Sequence, residues 1–184
     1  KTKLIYCESM SNPLLDVANI SRLSDIAKKH DIKLVVDNTF CPLIFTPKNH
    51  GADVVIHSLT KFINGSSDIV GGVICSDLSF IRELIDVNSG SSMLLGPTMD
   101  SFRSSSVLKN LRTLHIRMKQ HSYNAMFLAE KLKSIKGLGV CYPGLSDHKD
   151  HVFMKGVMNS DFGFGGLLNI DVGGRGKANS LMEI

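Results

Sequence analysis

The sequence predicts an α/β fold with a mainly parallel sheet covered by helices. Three short segments, Leu4–Glu8, Leu34–Val36 and Val54–Ile56, are apolar without the alternation of a strand that has one solvent face. This pattern indicates burial on both faces. Apolar residues at helical spacing separate the first two segments, which gives the order strand, helix, strand. Ligands of such sheets bind beyond the carboxyl ends of the strands.

Turn and cap residues set the bounds of the first elements. The first strand ends before Asn12 and Pro13, which fit neither a continuing strand nor a helix. Either Asn19 or Ser21 is a suitable N-cap for a helix that runs to His30. This helix is the predicted crossover between the first two strands.

The second half of the chain predicts less regular elements. Residues 71–75 fit a short strand and residues 79–87 a helix. Thr98 is a suitable cap for one long helix that reaches Leu132, because apolar residues form a nearly continuous stripe. Two further strands of a smaller, second α/β unit are predicted at 140–142 and 166–171.

Length and charge limit the functional classes. The 184 residues can bury one substantial core, and because the chain starts at Lys1 and stops within an amphipathic pattern, we expect an internal piece of a longer protein. The net charge of +4 is spread over helical faces, so no nucleic-acid partner is expected. No apolar run approaches the roughly 20 residues that cross a bilayer, so no membrane partner is expected. The first residues lack the charged, apolar and small-residue layout of a secretory signal.

The cysteines predict reduced thiols in the core. All four lie far apart beside apolar, strand-like residues, without the C-x-x-C spacing of zinc or redox sites: Cys7, Cys41, Cys75 and Cys141. Reduced thiols favour a reducing compartment such as the cytosol. A transit peptide upstream of Lys1 stays open, and no metal is expected.

Two strand ends deliver complementary chemistry to one rim of the predicted sheet. Lys61 follows the third apolar segment, and a lysine there can form an imine with an aldehyde. Asp37 follows the second segment; a carboxylate at a buried strand end needs a cation, and a protonated pyridinium nitrogen is one. Ser58 and Thr60 can donate hydrogen bonds to a phosphate. Together these residues predict pyridoxal 5′-phosphate as the cofactor.

Each candidate also has a plainer interpretation. Lys61 could be a surface lysine, and Asp37 could form a salt bridge or a helix cap. Ser58 and Thr60 could cap the strand end, although their spacing allows both hydroxyls to face one way beside Lys61. Asn12 could hydrogen-bond the phenolic oxygen of the cofactor, or be only a turn residue.

Six segments resemble, in order and spacing, the pyridoxal-phosphate-dependent enzymes of cysteine and methionine metabolism. They are residues 8–13, 35–40, 57–62, 68–72, 111–118 and 142–145. This resemblance covers nearly the whole chain. Within that family, three further segments look most like the plant-type methionine γ-lyases: residues 92–99, 153–161 and 163–168.

The resemblance implies an aspartate aminotransferase-like (type I pyridoxal-phosphate) fold. Residues 1–110 are then part of the cofactor-binding large domain, and residues 111–184 are the linking helix and the beginning of a smaller C-terminal α/β domain. A homotetramer assembled from dimers is also implied, whereas the cytoplasmic location is expected from the reduced cysteines. The implied roles are Lys61 as the lysine that binds the cofactor, Asp37 as the pyridinium partner, Ser58 and Thr60 as phosphate ligands, and Asn12 as a ring contact.

The implied activity is a lyase reaction on a sulfur amino acid. L-methionine would give methanethiol, 2-oxobutanoate and ammonia, with Lys61 moving the α proton and Asp37 keeping the ring protonated. Cystathionine γ-synthase, cystathionine γ-lyase and cystathionine β-lyase remain alternatives because they share this half of the site. An inactive fragment or a non-catalytic α/β binding module is the alternative from another class, and the isolated chain is expected to be poorly active.

Overall fold

A four-stranded sheet forms the centre of the structure, a computed structural model that describes residues 1–183. Its strands are, in spatial order, β1 (Leu4–Glu8), β2 (Lys33–Asp37), β3 (Val54–Ser58) and β4 (Gly72–Cys75). The first three are parallel, and β4 pairs antiparallel with β3. The prediction of a mainly parallel sheet is confirmed, and the carboxyl ends of β1, β2 and β3 lie at one end of it. The predicted burial on both faces is wrong for β1, where Leu4 and Tyr6 are exposed because the strand stands at the end of the strand order.

Helix α1 (Ile20–Lys29) connects β1 to β2, as predicted. Of the two possible caps, Asn19 is the one used, since its Oδ1 accepts a hydrogen bond from the Arg22 N–H at 3.0 Å. The buried face of α1 packs into the main core. The other helices are α2 (Leu78–Leu84), α3 (Ser91–Leu95), α4 (Ser101–Leu111), α5 (Leu114–Lys133), α6 (His151–Val157) and α7 (Arg175–Met182).

The prediction of one long helix from Thr98 to Leu132 is wrong. Two helices, α4 and α5, are separated at Arg112–Thr113, and the cap of α4 is Asp100, which accepts from the N–H groups of two residues of its first turn. The Thr113 hydroxyl donates to the Asn110 carbonyl at 3.0 Å and so competes with the helix backbone at the break.

The apolar stripe that suggested a continuous helix does not form one buried face. Leu114 and Met118 of α5 are buried, whereas Phe102 and Leu108 of α4 are exposed. A spacing pattern cannot reveal which of these residues are buried, because it records only the period of apolar residues and not where their neighbours lie.

Two short strands, β5 (Gly139–Cys141) and β6 (Asn169–Asp171), pair antiparallel where two strands of a second unit were predicted. A small core lies against them, formed by Ala125, Ala129, Tyr142 and Leu145. The main core includes Leu114 and Met118 from α5, so the beginning of α5 packs with the sheet. Between residues 1 and 183 no helix is both long and apolar enough to span a membrane.

The cysteine prediction is confirmed in part. All four cysteines are unpaired, and Cys41 is fully buried, which raises the pKa of its thiol to about 12. Cys7 and Cys141 are half-buried. Cys75 is exposed, so its assignment to the core is wrong; it lies on β4, whose one neighbouring strand among residues 1–183 is β3.

Candidate active site

The carboxylate of Asp37 stands at the carboxyl end of β2 and is held by two donors. Its Oδ1 accepts from the Thr39 N–H at 2.9 Å, and its Oδ2 accepts from the Tyr6 hydroxyl at 3.0 Å. The Thr39 contact lies in the turn that follows β2, and no helix begins there, so the helix-cap interpretation of Asp37 is wrong. The salt bridge that was the other alternative for Asp37 is absent among residues 1–183. A carboxylate fixed by two donors keeps one orientation and retains lone pairs for a further cation.

Lys61 lies in a π-helical turn, Leu59–Ile63, that directly follows β3. The carbonyl of Lys61 accepts from the Gly65 N–H at 2.8 Å. Its backbone is non-helical, with φ −92° and ψ −125°, and its side chain is exposed. The turn therefore presents the amine outward from the strand end instead of continuing along it.

The side chain of Lys61 lines two cavities. One of about 150 Å³ is also lined by Asp37 and Ser58. A second of about 570 Å³ is also lined by Asn12 and Thr60. The second volume is in the range of small-molecule sites in proteins. Phe40 and Lys61 line both cavities, so the structure brings the other four candidate residues around the side chain of Lys61.

The two hydroxyls do not face one way, contrary to expectation. Strand β3 ends at Ser58 and the turn begins at the next residue, so the alternation of a strand stops between Ser58 and Thr60. Thr60 Oγ1 accepts from the Gly71 N–H at 3.1 Å and has a longer contact of 3.4 Å with the Gly71 carbonyl. The Ser58 hydroxyl makes no hydrogen bond within the described part of the chain. Ser58 is thus the freer of the two donors.

Asn12 is exposed in the loop after β1. Its backbone N–H donates to Glu8 Oε2 at 3.3 Å, which ties the loop to the end of β1. The side chain lines the larger cavity with Lys61. Both interpretations of Asn12, the ring contact and the turn residue, are compatible with this position.

Tyr6 is a site residue that the sequence analysis missed. Partial burial and the hydrogen bond to Asp37 raise its pKa to about 12, so the phenol remains a donor throughout the neutral range. The available signal was strand alternation: Tyr6 and Glu8 share one face of β1, and Glu8 is in register with Asp37 on β2.

His121 is a second residue that was missed. It projects from α5 into the larger cavity and packs edge-on against Phe62, with ring centroids 5.4 Å apart. Burial and then the positive charge of Arg117 lower the pKa of His121. No local pattern connects residue 121 with residue 61, because the fold alone brings α5 to this turn.

The model of the family described as Cys/Met metabolism PLP-dependent enzyme matches residues 1–183. The chain belongs to this family. The resemblance seen in the six sequence segments is thereby confirmed.

Relatives within the family cover nearly all of this chain. A methionine γ-lyase of Arabidopsis thaliana is 43% identical over 182 residues, which are 99% of this chain and 41% of that protein. Cystathionine β-lyases and cystathionine γ-synthases are also among the relatives. The chain spans less than half the length of these proteins.

Solved structures of the family share the fold. Cystathionine γ-synthase from Xanthomonas oryzae pv. oryzae, in complex with aminoacrylate and cysteine, has a TM-score of 0.89 at 35% identity, over 97% of this chain and 45% of that one. A putative O-acetylhomoserine (thiol)-lyase from Campylobacter jejuni has a TM-score of 0.82 at 30% identity, over 91% of this chain and 49% of that one. That structure contains a pyridoxyl-lysine monophosphate residue.

The donor set of the two cavities fits pyridoxal phosphate. Lys61 offers an exposed primary amine, which the aldehyde carbon requires. Asp37 offers a fixed carboxylate in the same cavity, which suits a protonated ring nitrogen. The unengaged hydroxyl of Ser58 suits an anionic oxygen. The fit therefore extends over the reactive carbon, the ring nitrogen and one phosphate donor.

Proposed function

We propose that this chain carries the lysine and acid half of the active site of a pyridoxal-phosphate-dependent carbon–sulfur lyase. The proposed reaction converts L-methionine to methanethiol, 2-oxobutanoate and ammonia. The observation that carries the proposal is the shared cavity of Asp37 and Lys61. The choice of methionine is supported by the methionine γ-lyase at 43% identity.

Asp37 is assigned to the ring nitrogen. When bound, the cofactor withdraws electrons from the substrate α carbon, and it does so best with its ring nitrogen protonated. The Asp37 carboxylate would hold that proton. Tyr6 and Thr39 each donate to one of its oxygens, which keeps the carboxylate plane fixed.

Lys61 is assigned both to holding the cofactor and to moving a proton. Its amine has no hydrogen-bond partner among residues 1–183 and lines both cavities. With its amine free, Lys61 would take the proton from the substrate α carbon and return it to a neighbouring position. A base on a short turn at a strand end is held within reach of both positions without rearrangement of the sheet.

Ser58, Thr60 and Asn12 are assigned to binding. Ser58 and Thr60 would donate to phosphate oxygens, and Thr60 would give up its long contact to the Gly71 carbonyl for the stronger charged acceptor. Asn12 would donate to the ring oxygen from the loop after β1. All three residues would bind and orient the cofactor and would take no part in proton transfer.

The test uses the full-length protein with added cofactor. Borohydride reduction followed by peptide mapping is expected to place a pyridoxyl group on Lys61, and methanethiol release from methionine is expected to exceed cystathionine turnover. Lys61→Ala should abolish both the label and turnover. Lys136→Ala, which changes an exposed lysine away from both cavities, should change neither.

Three outcomes would contradict parts of the proposal. Preference for cystathionine removes the methionine assignment and leaves the cofactor site. A label on another lysine removes the role of Lys61. A protein that stays colourless with excess cofactor supports a non-catalytic binding module.

The same proposal extends to organisation and location. We assign residues 1–110 to the large domain and residues 111–184 to the linking helix and the start of the C-terminal domain, supported by the separate small core beside β5 and β6. A homotetramer is supported by the family resemblance. A cytoplasmic location is supported by the four unpaired cysteines. Light scattering of the full-length protein should give the mass of four subunits.

A further inference from the structure

The guanidinium of Arg117, on α5, reaches the turn that carries Lys61. Its Nη1 donates to the Phe62 carbonyl, and its Nη2 donates to the Ile63 carbonyl at 2.9 Å. These are the two residues that follow Lys61 in the chain. The same side chain donates to the Asn110 carbonyl at 3.0 Å and to the Thr113 hydroxyl at 3.1 Å, so it ties the junction of α4 and α5 to the turn.

The turn itself leaves these carbonyls without backbone partners. Its last backbone bonds run from the Asn64 N–H to the Leu59 carbonyl and from the Gly65 N–H to the Lys61 carbonyl. Within residues 1–183 no backbone N–H bonds to the carbonyls of Phe62 or Ile63. Unpaired carbonyls at the end of a helical turn favour a cation. The planar fork of an arginine satisfies two adjacent acceptors at once, which a lysine cannot do.

Neighbouring residues are shaped around this contact. Gly65 has φ +73°, and a Cβ at this position would collide with the Arg117 guanidinium. Asn64 is buried, and its Oδ1 accepts from Asn110 Nδ2 at 2.9 Å. Asn110 Nδ2 also donates to Ser66 Oγ at 3.1 Å. The α4–α5 junction therefore holds the chain on the carboxyl side of Lys61 at several points.

We propose that Arg117 is a positioning residue for the Lys61 amine, acting through the two carbonyls that follow it. The turn spans only Leu59–Ile63, so the direction of the Lys61 side chain depends on where residues 62 and 63 are held. Arg117 fixes both to α5. The inference rests on the proposed role of Lys61. It adds α5 to the elements that orient the Lys61 side chain.

The test compares Arg117→Lys and Arg117→Met with Arg112→Lys in the full-length protein. Arg112 is an exposed arginine at the same helix junction, and its side chain makes no hydrogen bond or ion pair within residues 1–183. The first measurement is amide hydrogen exchange at Asn64 and Gly65 without cofactor. The second is the rate at which added pyridoxal phosphate becomes fixed to Lys61 by borohydride. The third is kcat and KM separately.

Both Arg117 variants should speed exchange at Asn64 and Gly65 and slow fixation at Lys61 at least about 10-fold, because displacement of a reacting group by about 1 Å costs up to about 100-fold in rate. A fall in kcat with KM unchanged should accompany this, and Arg112→Lys should behave as the wild type. Arg117→Lys retains the charge and the aliphatic stem and loses only the planar guanidinium. It therefore tests the two-carbonyl contact even if Arg117→Met does not fold.

Unchanged exchange, or fixation within twofold of the wild type in Arg117→Lys, overturns the proposal. If the wild type itself gives no fixation, the proposed cofactor role of Lys61 has failed instead. Hydrogen exchange then decides alone whether Arg117 holds the turn.

Discussion

The contact between Tyr6 and Asp37 allows a direct test of the site without cofactor or substrate. The pKa of Tyr6 is raised from 10.0 to about 12 by partial burial and by the hydrogen bond to Asp37. At pH 11 a phenol with a pKa of 12 is about 10% ionised, whereas one with a pKa of 10 is about 90% ionised. The difference between wild type and Tyr6→Phe in phenolate absorbance isolates this one residue.

Replacing Asp37 by Ala removes the acceptor and the nearby negative charge but leaves the burial of Tyr6. The pKa of Tyr6 should therefore fall part of the way towards 10. A fall of only half a unit raises the ionised fraction at pH 11 from about 10% to about 24%, which more than doubles the signal. The measurement is a difference titration of Asp37→Ala against the Tyr6→Phe, Asp37→Ala double variant, with folding checked by circular dichroism at each pH.

Glu8→Gln is the matched control, because Glu8 contributes a smaller charge effect on Tyr6 and no hydrogen bond to it. It should change the phenolate signal less than Asp37→Ala does. The sign of the linkage is also fixed: a raised pKa favours the protonated phenol in the folded protein, so the contact stabilises below about pH 10 and this contribution is lost as the pH rises towards 12. Equal phenolate signals at pH 11 in wild type and Asp37→Ala would refute the contact.

Two further predictions concern the stability of the framework around Lys61, measured by urea unfolding of the full-length protein. Asn64→Ala should lower the free energy of unfolding by about 2 kcal/mol, because it removes net contributions of about 1 kcal/mol each from the hydrogen bonds to Asp68 at 2.8 Å and from Asn110 at 2.9 Å; a loss below about 0.5 kcal/mol would show that the network is not formed. Met118→Ala should cost about 3 kcal/mol, since Met118 is fully buried in the main core. The exposed Met182 provides its control, and Met182→Ala should lie within about 0.5 kcal/mol of the wild type.

Much of the sheet could be predicted from local patterns. The apolar runs give the bounds of β1, β2 and β3 almost to the residue. The physical reason, that a strand buried on both faces needs apolar side chains at every position, applies to β2 and β3 but not to β1, where Leu4 and Tyr6 are exposed. The cap at Asn19 and the start of α1 follow from the same local chemistry. Asp37 and Lys61 could be proposed as partners because the carboxyl ends of parallel strands must meet at one end of the sheet.

The helical half was harder to predict. The apolar stripe from Thr98 to Leu132 has a continuous period, yet the helix breaks at Arg112–Thr113, where a side-chain hydroxyl competes for a helix carbonyl. The divergence of Ser58 and Thr60 has a similar origin. Strand spacing aligns their hydroxyls, but the π-helical turn that begins at Leu59 rotates one of them away.

By itself the sequence determined which chemical groups stand at the strand ends, because strand burial and strand termination are read from neighbouring residues. Only the tertiary structure decided which groups support them. Tyr6 reaches Asp37 across 31 residues, and Arg117 reaches the carbonyl of Phe62 across 55. Contacts at such separations depend on how helices and strands pack, and no local period of side chains encodes them.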